Sequence, residues 1–167
     1  GQAFAVGQAL EESGYLSYLS YRYFRRAKTA NALVLFVLFG MGIASAFLMN
    51  DTLAIIGTPV VLHLARKHLM SPKPLLLTLA FAITIGSVAS PIGNPQNLLI
   101  AVNGNMPDPF AAFFKHLFLP TIINLFLAYV LLRLLYKKEF HDAPLDHSRE
   151  PIADHDLAKL SRFSLLL

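Results

Sequence analysis

The sequence predicts an all-α membrane protein made of transmembrane helices, a re-entrant helical hairpin and a discontinuous helix. Three observations carry that reading. Of the 167 residues, 55% are hydrophobic and only 14% charged, with a mean hydropathy of +0.53, whereas soluble domains carry about 25% charged residues. Apolar runs alternate with basic clusters at Arg25-Arg26 with Lys28, at Arg66-Lys67, and at Arg133 with Lys137-Lys138, as cytoplasmic flanks do under the positive-inside rule. Finally, Leu75–Val102 contains no charged side chain, yet its second half carries Pro91, Gly93, Pro95 and the amides of Asn94, Gln96 and Asn97. Proline removes a backbone donor and clashes with the preceding turn, so a break in the helix is expected in that half. Broken backbone at membrane depth persists only where protein or a water-filled cavity satisfies its polar groups, an arrangement that transporters use to build ion and substrate sites.

Other function classes fall away on the same grounds. The net charge of +4 sits in clusters flanking apolar runs, not on a continuous face suited to nucleic acid. Cysteine is absent, which removes disulfide frameworks and thiolate metal sites.

In chain order, Gly1–Leu10 reads as the tail of an earlier helix and Glu11-Glu12-Ser13-Gly14 as a break at the membrane surface. Tyrosines at 15, 18, 21 and 23 interleave with Arg22, Arg25, Arg26 and Lys28, which suits the headgroup level better than a solvated basic helix. Thr29–Asn50 is then free of charge, whereas only 11 residues, Thr52–Leu62, separate Asp51 from His63 and the next basic group. Eleven helical residues rise about 16 Å, roughly half the hydrocarbon thickness. The pair is therefore expected to form a hairpin over 29–66 with both flanks cytoplasmic and its tip, Asn50-Asp51-Thr52, inside the membrane.

Ser71-Pro72-Lys73-Pro74 marks a cytoplasmic turn. A broken helix over 75–104 is expected next, climbing through Leu75–Ala89, breaking at Ser90–Asn97 and resuming at Leu98. Asn103–Pro109 holds no lysine or arginine, as an outside loop should. Phe110–Leu119 reads as an amphipathic segment on the outer surface, followed by a return helix over 117–136. Residues 1–138 thus form one transmembrane unit and 139–163 a polar cytoplasmic linker. The linker histidines, His141, His147 and His155, are too irregularly spaced for a metal site and read as solvated. Ser164–Leu167 looks like the start of a further apolar segment, so a longer multi-pass protein of the cytoplasmic (inner) membrane is expected.

Two polar stretches form the candidate site. An intramembrane carboxylate is disfavoured by at least about 2.5 kcal/mol and therefore usually faces a cavity; Asp51 is that residue. Asn50, Asp51 and Thr52 also suit plain N-capping of the helix that follows, and a helix start directs its positive end at whatever lies beyond it. The second stretch offers oxygens from Ser90, Asn94, Gln96 and Asn97, together with carbonyls released near Pro91, Gly93 and Pro95. Hard cations want several oxygens; anions want helix N-termini and amide donors. The ion- and substrate-binding set is therefore Asn50, Asp51, Thr52, Ser90, Gly93, Asn94 and Asn97. No catalytic residue, metal site or cofactor is expected beyond a coupling ion, H+ or Na+. His63, Arg66 and His68 read as interfacial anchors.

Asn50-Asp51-Thr52 with Thr58-Pro59 downstream, and Ser-Pro-Ile-Gly-Asn-Pro-Gln-Asn at 90–97, resemble the ion transporter superfamily. That superfamily includes citrate–metal symporters, sodium/dicarboxylate cotransporters, arsenite efflux permeases and one class of sodium/proton antiporters. The resemblance covers about Leu10 to Leu135. It implies an inverted-repeat carrier, usually a homodimer, with substrate held between two hairpin tips and two broken helices, and makes this chain one half, the second repeat starting near Ser164. Where the sodium/dicarboxylate branch has Ser-Asn-Thr at the tip, this sequence has Met49-Asn50-Asp51. Methionine offers hard sodium no useful oxygen, so the Asn-Asp pair is more similar to the arsenite and antiporter branches. The function implied is secondary active transport of a small inorganic or carboxylate anion across the bilayer, coupled to H+ or Na+, with no enzymatic activity and no nucleic-acid partner. The rival readings are a sodium/proton antiporter, in which Asp51 exchanges a proton for sodium, and a non-transporting membrane anchor or assembly subunit.

Overall fold

A computed structural model of the chain describes residues 22–140. The expectations for the acidic break, the tyrosines at 15, 18 and 21, the linker histidines and Ser164–Leu167 lie outside the described residues. Within them the chain folds into five α-helices: α1 (Ala30–Phe47), α2 (Asn50–Lys67), α3 (Pro72–Gly86), α4 (Pro95–Asn103) and α5 (Pro109–Leu135), with a single 3-10 turn, Ser87–Ala89, at the end of α3.

Thr29 starts α1, its hydroxyl accepting the Ala32 N–H at 3.2 Å, which satisfies one of the orphan donors of the first turn. Ala30, Leu33, Val34, Val37, Leu38, Gly42 and Ser45 are buried, the i, i+3, i+4 recurrence of a helix with one face against a core. The helix ends at Leu48, which is extended and donates its N–H to the Ala44 carbonyl. Only Leu48 and Met49 separate α1 from α2. The reversal therefore lies two residues earlier than the sequence suggests, with Asn50-Asp51-Thr52 as the first turn of α2.

The second arm ends one residue past the expected bound of 66. It runs 18 residues to Lys67, because Leu64 and Ala65 beyond His63 are buried in the core and Arg66 and Lys67 close the last turn. Cations in the final turn are favourable there, where the helix dipole is negative. Pro59 lies inside α2, and the Thr58 hydroxyl beside it bonds the Ala54 carbonyl at 2.7 Å. The helix stops in a Schellman arrangement: Met70 N–H reaches the Ala65 carbonyl at 2.9 Å and Leu69 N–H the Arg66 carbonyl at 3.3 Å. Leu69 takes the left-handed conformation, φ 51°, with its side chain in the open.

Pro72 begins α3 rather than ending the turn before it. The first helical position tolerates proline, whose missing N–H would be unpaired there anyway. After the break, Asp108 caps α5 by accepting the Ala111 N–H. The expected surface segment at Phe110–Leu119 and the return helix at 117–136 prove to be one 27-residue helix, with Pro120 inside it. Apolar residues continue on both sides of Pro120, and proline in an apolar helix is tolerated where neighbouring groups take up the released carbonyls. One turn further on, the Asn124 side-chain amide donates to the Pro120 carbonyl at 2.8 Å.

By length and composition, three segments among the described residues can cross a membrane: Ala30–Phe47, Pro72–Ala89 and Pro109–Leu135. The central one, α3, packs against α1, α2 and α5. Its Leu75, Leu79 and Ala82 share the core with Val34 and Leu38 of α1, Val61 and Leu64 of α2, and Leu125 and Leu132 of α5. At the far end of α3, Gly86 meets Gly42 of α1 so closely that a Cβ on Gly86 would overlap the Gly42 backbone. Small residues that let backbones touch are how helices associate where lipid removes the hydrophobic drive. Leu99 and Val102 of α4 and Phe114, Leu119 and Leu135 of α5 point outward.

Candidate functional site

The break in the third segment is built from its own side chains. After the 3-10 turn, Ser90 is extended, and the chain turns through Pro91-Ile92-Gly93 before Asn94 caps α4. Pro95 occupies the first helical position, so one of the two prolines that forbid a continuous helix also starts the next one. Asn94 Oδ1 accepts the Asn97 N–H at 2.8 Å, while its Nδ2 turns back to Ser87, 3.2 Å from Oγ and 3.5 Å from the carbonyl. Asn97 Nδ2 gathers the carbonyls at the end of the first half: Ser90 at 2.9 Å, Ser87 at 3.2 Å and Val88 at 3.3 Å. The amides of Asn94 and Asn97 thereby replace the donors that an uninterrupted helix would have supplied. The Ser90 hydroxyl accepts from Ile92 N–H at 3.3 Å. Gly93 sits over the Ser87 carbonyl, and any Cβ would collide with it, so close approach of two backbones requires glycine here.

The hairpin tip meets this break through the backbone. Asn50 N–H donates to the Gly93 carbonyl at 3.1 Å. The start of α2 carries no side-chain cap, since Met49 occupies the cap position; the capping role that Asn50, Asp51 and Thr52 suit on paper is not the one they take. Asn50 and Thr52 are half-buried and Asp51 is exposed. Asn50 Oδ1 is sealed from solvent without a hydrogen-bond partner among the described residues. Such an acceptor is unfavourable unless a donor or cation meets it.

All seven predicted residues thus fall on two adjoining pieces of backbone, joined at Asn50 and Gly93. Ser90, Gly93 and Asn94 are buried, Asn97 half-buried. Sequence reasoning missed Ser87, which is fully buried and receives both asparagine amides; its position in the last turn before the break was the available signal. It also missed the Gly42–Gly86 contact that holds α1 against the break.

Behind the break lies a cavity of about 460 Å³ between α1, the end of α3 and α5, lined among others by Gly42, Phe47, Ser90, Phe114, Phe118 and Thr121. It is apolar apart from two hydroxyls. The ring of Phe114 stacks on Phe118 at 4.7 Å, and the buried Thr121 Oγ1 has no partner among the described residues.

The profile of a family described as "Citrate transporter" matches residues 2–167. The chain is 40% identical over 101 residues to "Silicon efflux transporter LSI3" of Oryza sativa subsp. japonica, covering 60% of the chain and 21% of that protein. It is 37% identical over 97 residues to "Putative transporter arsB" of Dictyostelium discoideum, covering 58% of the chain and 17% of the relative. With "Inner membrane protein YbiR" of Escherichia coli K12 the identity is 36% over 93 residues, 56% of the chain and 25% of the relative. The matched part of the chain spans about a fifth of the length of these relatives.

Proposed function

Because the chain belongs to the citrate transporter family, a family of membrane transporters and not of enzymes, we propose that it supplies one substrate-binding half of a secondary active transporter for a small anion in the inner membrane. The observation that carries this reading is the hydrogen bond from Asn50 N–H to the Gly93 carbonyl, which brings an uncapped helix start against a helix break. The first-turn amides of α2 and the positive end of its dipole favour an anion beside the tip. The relatives' names, citrate, silicon efflux and arsB, support a small carboxylate or oxyanion as the class of substrate. The α1–α2 pair acts as a re-entrant hairpin, α1 and α2 entering and leaving on the cytoplasmic side with their basic flanks.

Asp51 sets the coupling. Its carboxylate stands in the same first turn that attracts the anion, and like charges a few ångströms apart repel. A proton or a sodium ion therefore has to neutralise Asp51 as the anion loads, which ties the two movements together. In the antiporter reading Asp51 is instead the cation site itself, and the unpartnered Asn50 Oδ1 next to it favours a bound cation. Uptake by the complete protein in proteoliposomes separates the two, with radiolabelled anion in one series and radiolabelled sodium in the other. Asp51→Asn keeps the shape and cannot ionise; it should abolish accumulation driven by a pH gradient and spare equilibrium exchange of the anion. Normal pH-driven accumulation by that variant would remove Asp51 from the coupling step.

A further inference from the structure

We propose that Ser87 is the positioning residue of the tip–break site, fixing the orientation of Asn94 and, through it, the start of α4. Neither the family match nor any relative's name assigns this residue a role. Backbone groups fix the direction of each hydrogen bond here. A backbone N–H can only donate, so the Asn94 atom 2.8 Å from Asn97 N is the carbonyl oxygen, and the atom facing Ser87 is the Nδ2 amide. That amide donates to Ser87 Oγ at 3.2 Å. With its oxygen accepting there, the Ser87 hydroxyl directs its one proton to the Thr84 carbonyl at 3.0 Å, which can only accept. The result is a relay of three bonds with one direction, from Asn97 N–H through Asn94 and Ser87 to Thr84. Both ends are pinned by backbone groups, so an amide flip at Asn94 would break two bonds at once.

The relay lies where rigidity has a consequence. Ser87 and Asn94 are both buried, so water does not replace a lost partner there. Gly93, next to Asn94, rests on the Ser87 backbone and carries the carbonyl that holds the hairpin tip. Without the Ser87 hydroxyl, the Asn94 amide keeps only the 3.5 Å approach to the Ser87 carbonyl, too long for a good bond. The cap of α4 and the seat of Gly93 then loosen together. Ser87 touches no substrate in this scheme; it acts through Asn94.

The test uses the complete protein reconstituted in lipid nanodiscs. Hydrogen exchange is followed for the segment containing residues 92–99 and, as internal reference, for residues 75–84. Ser87→Ala should speed exchange in 92–99 by roughly tenfold, the loss of one buried hydrogen bond, and leave 75–84 unchanged. Ser87→Cys keeps the side-chain shape at slightly larger size but accepts hydrogen bonds only weakly; it should shift exchange in the same direction, and it covers the case in which the alanine variant fails to assemble. Combining Ser87→Ala with Asn94→Ala should add nothing beyond Asn94→Ala alone, since one relay can be cut only once. Unchanged exchange at 92–99 in both single variants, or additive effects in the double, would overturn the proposal. A second arm rests on the transport reading: the apparent KM for anion uptake should rise about tenfold with Vmax within about twofold. Faster exchange without any measurable uptake would count against transport and leave the relay standing, whereas an equal fall in Vmax with unchanged KM would count against positioning.

Discussion

Gly93→Ala is the smallest change that should disable the site, and its effect can be worked from the geometry. The added Cβ would lie 2.8 Å from the carbonyl carbon of Ser87 and closer still to its oxygen. Carbon atoms not bonded to each other settle at about 3.5–4.0 Å, so the loop has to move by about 1 Å. The obstacle is backbone at the end of a packed helix, which no side-chain rotation relieves. Overpacking of this kind destabilises by about 1–3 kcal/mol. The movement also withdraws the Gly93 carbonyl from Asn50 N–H, for a further 0.5–1.5 kcal/mol or so. Together these come to about 1.5–4.5 kcal/mol against the joined tip and break, or between about tenfold and a thousandfold in apparent affinity. The assay is concentration-dependent anion uptake by the complete protein in proteoliposomes. Leu69→Ala at an exposed loop position serves as the control, with an expected change of less than about twofold. A Gly93→Ala variant with wild-type affinity would refute the claim that the close seat of Gly93 on Ser87 shapes the site.

Two further outcomes follow from the same structure. Asn97→Ala removes the amide that gathers three carbonyls, and leaving such acceptors unpaired is unfavourable by about 1–3 kcal/mol; apparent affinity should fall roughly ten- to a hundredfold with normal membrane insertion, and unchanged uptake kinetics would assign Asn97 to packing alone. Single cysteines at Arg25, Lys67 and Lys138 should react with an impermeant thiol reagent only from the cytoplasmic side and one at Asn105 only from outside; labelling of position 67 from outside would contradict the re-entrant hairpin.

The helical content, the break and the loop between α4 and α5 were legible from charge-free runs and from proline and amide placement, because those features act through local backbone chemistry. The limits of single elements were less so. Pro72 and Pro120 look like helix breakers in the sequence; one starts α3, where its missing N–H would be unpaired anyway, and the other lies inside α5, as prolines do in membrane helices. The end of α2 at Lys67 lies one residue past the expected bound of 66, since basic residues suit a helix C-terminus and Leu64 and Ala65 still pack in the core. All seven candidate site residues proved to be close in space, since both stretches were chosen for the same polar anomaly in apolar surroundings. The roles were harder to read. Asn94 and Asn97 direct their amides at backbone, and Asn50 gives its own N–H to Gly93; these are tertiary choices with no one-dimensional signature. The Gly42–Gly86 contact was invisible for the same reason, two glycines 44 positions apart in the sequence that matter only as a pair.

On this reading the hairpin tip and the helix break are one binding site. The sequence contains no cysteine, so Thr52→Cys at the tip and Gln96→Cys at the break can each be placed as the sole thiol of this segment in the complete protein. The measurement is the rate of alkylation by a small maleimide across a range of substrate concentrations. A single site predicts that substrate slows alkylation at both positions with the same half-saturating concentration. Protection at only one position, or at the two with different concentration dependence, would show that tip and break do not bind substrate together.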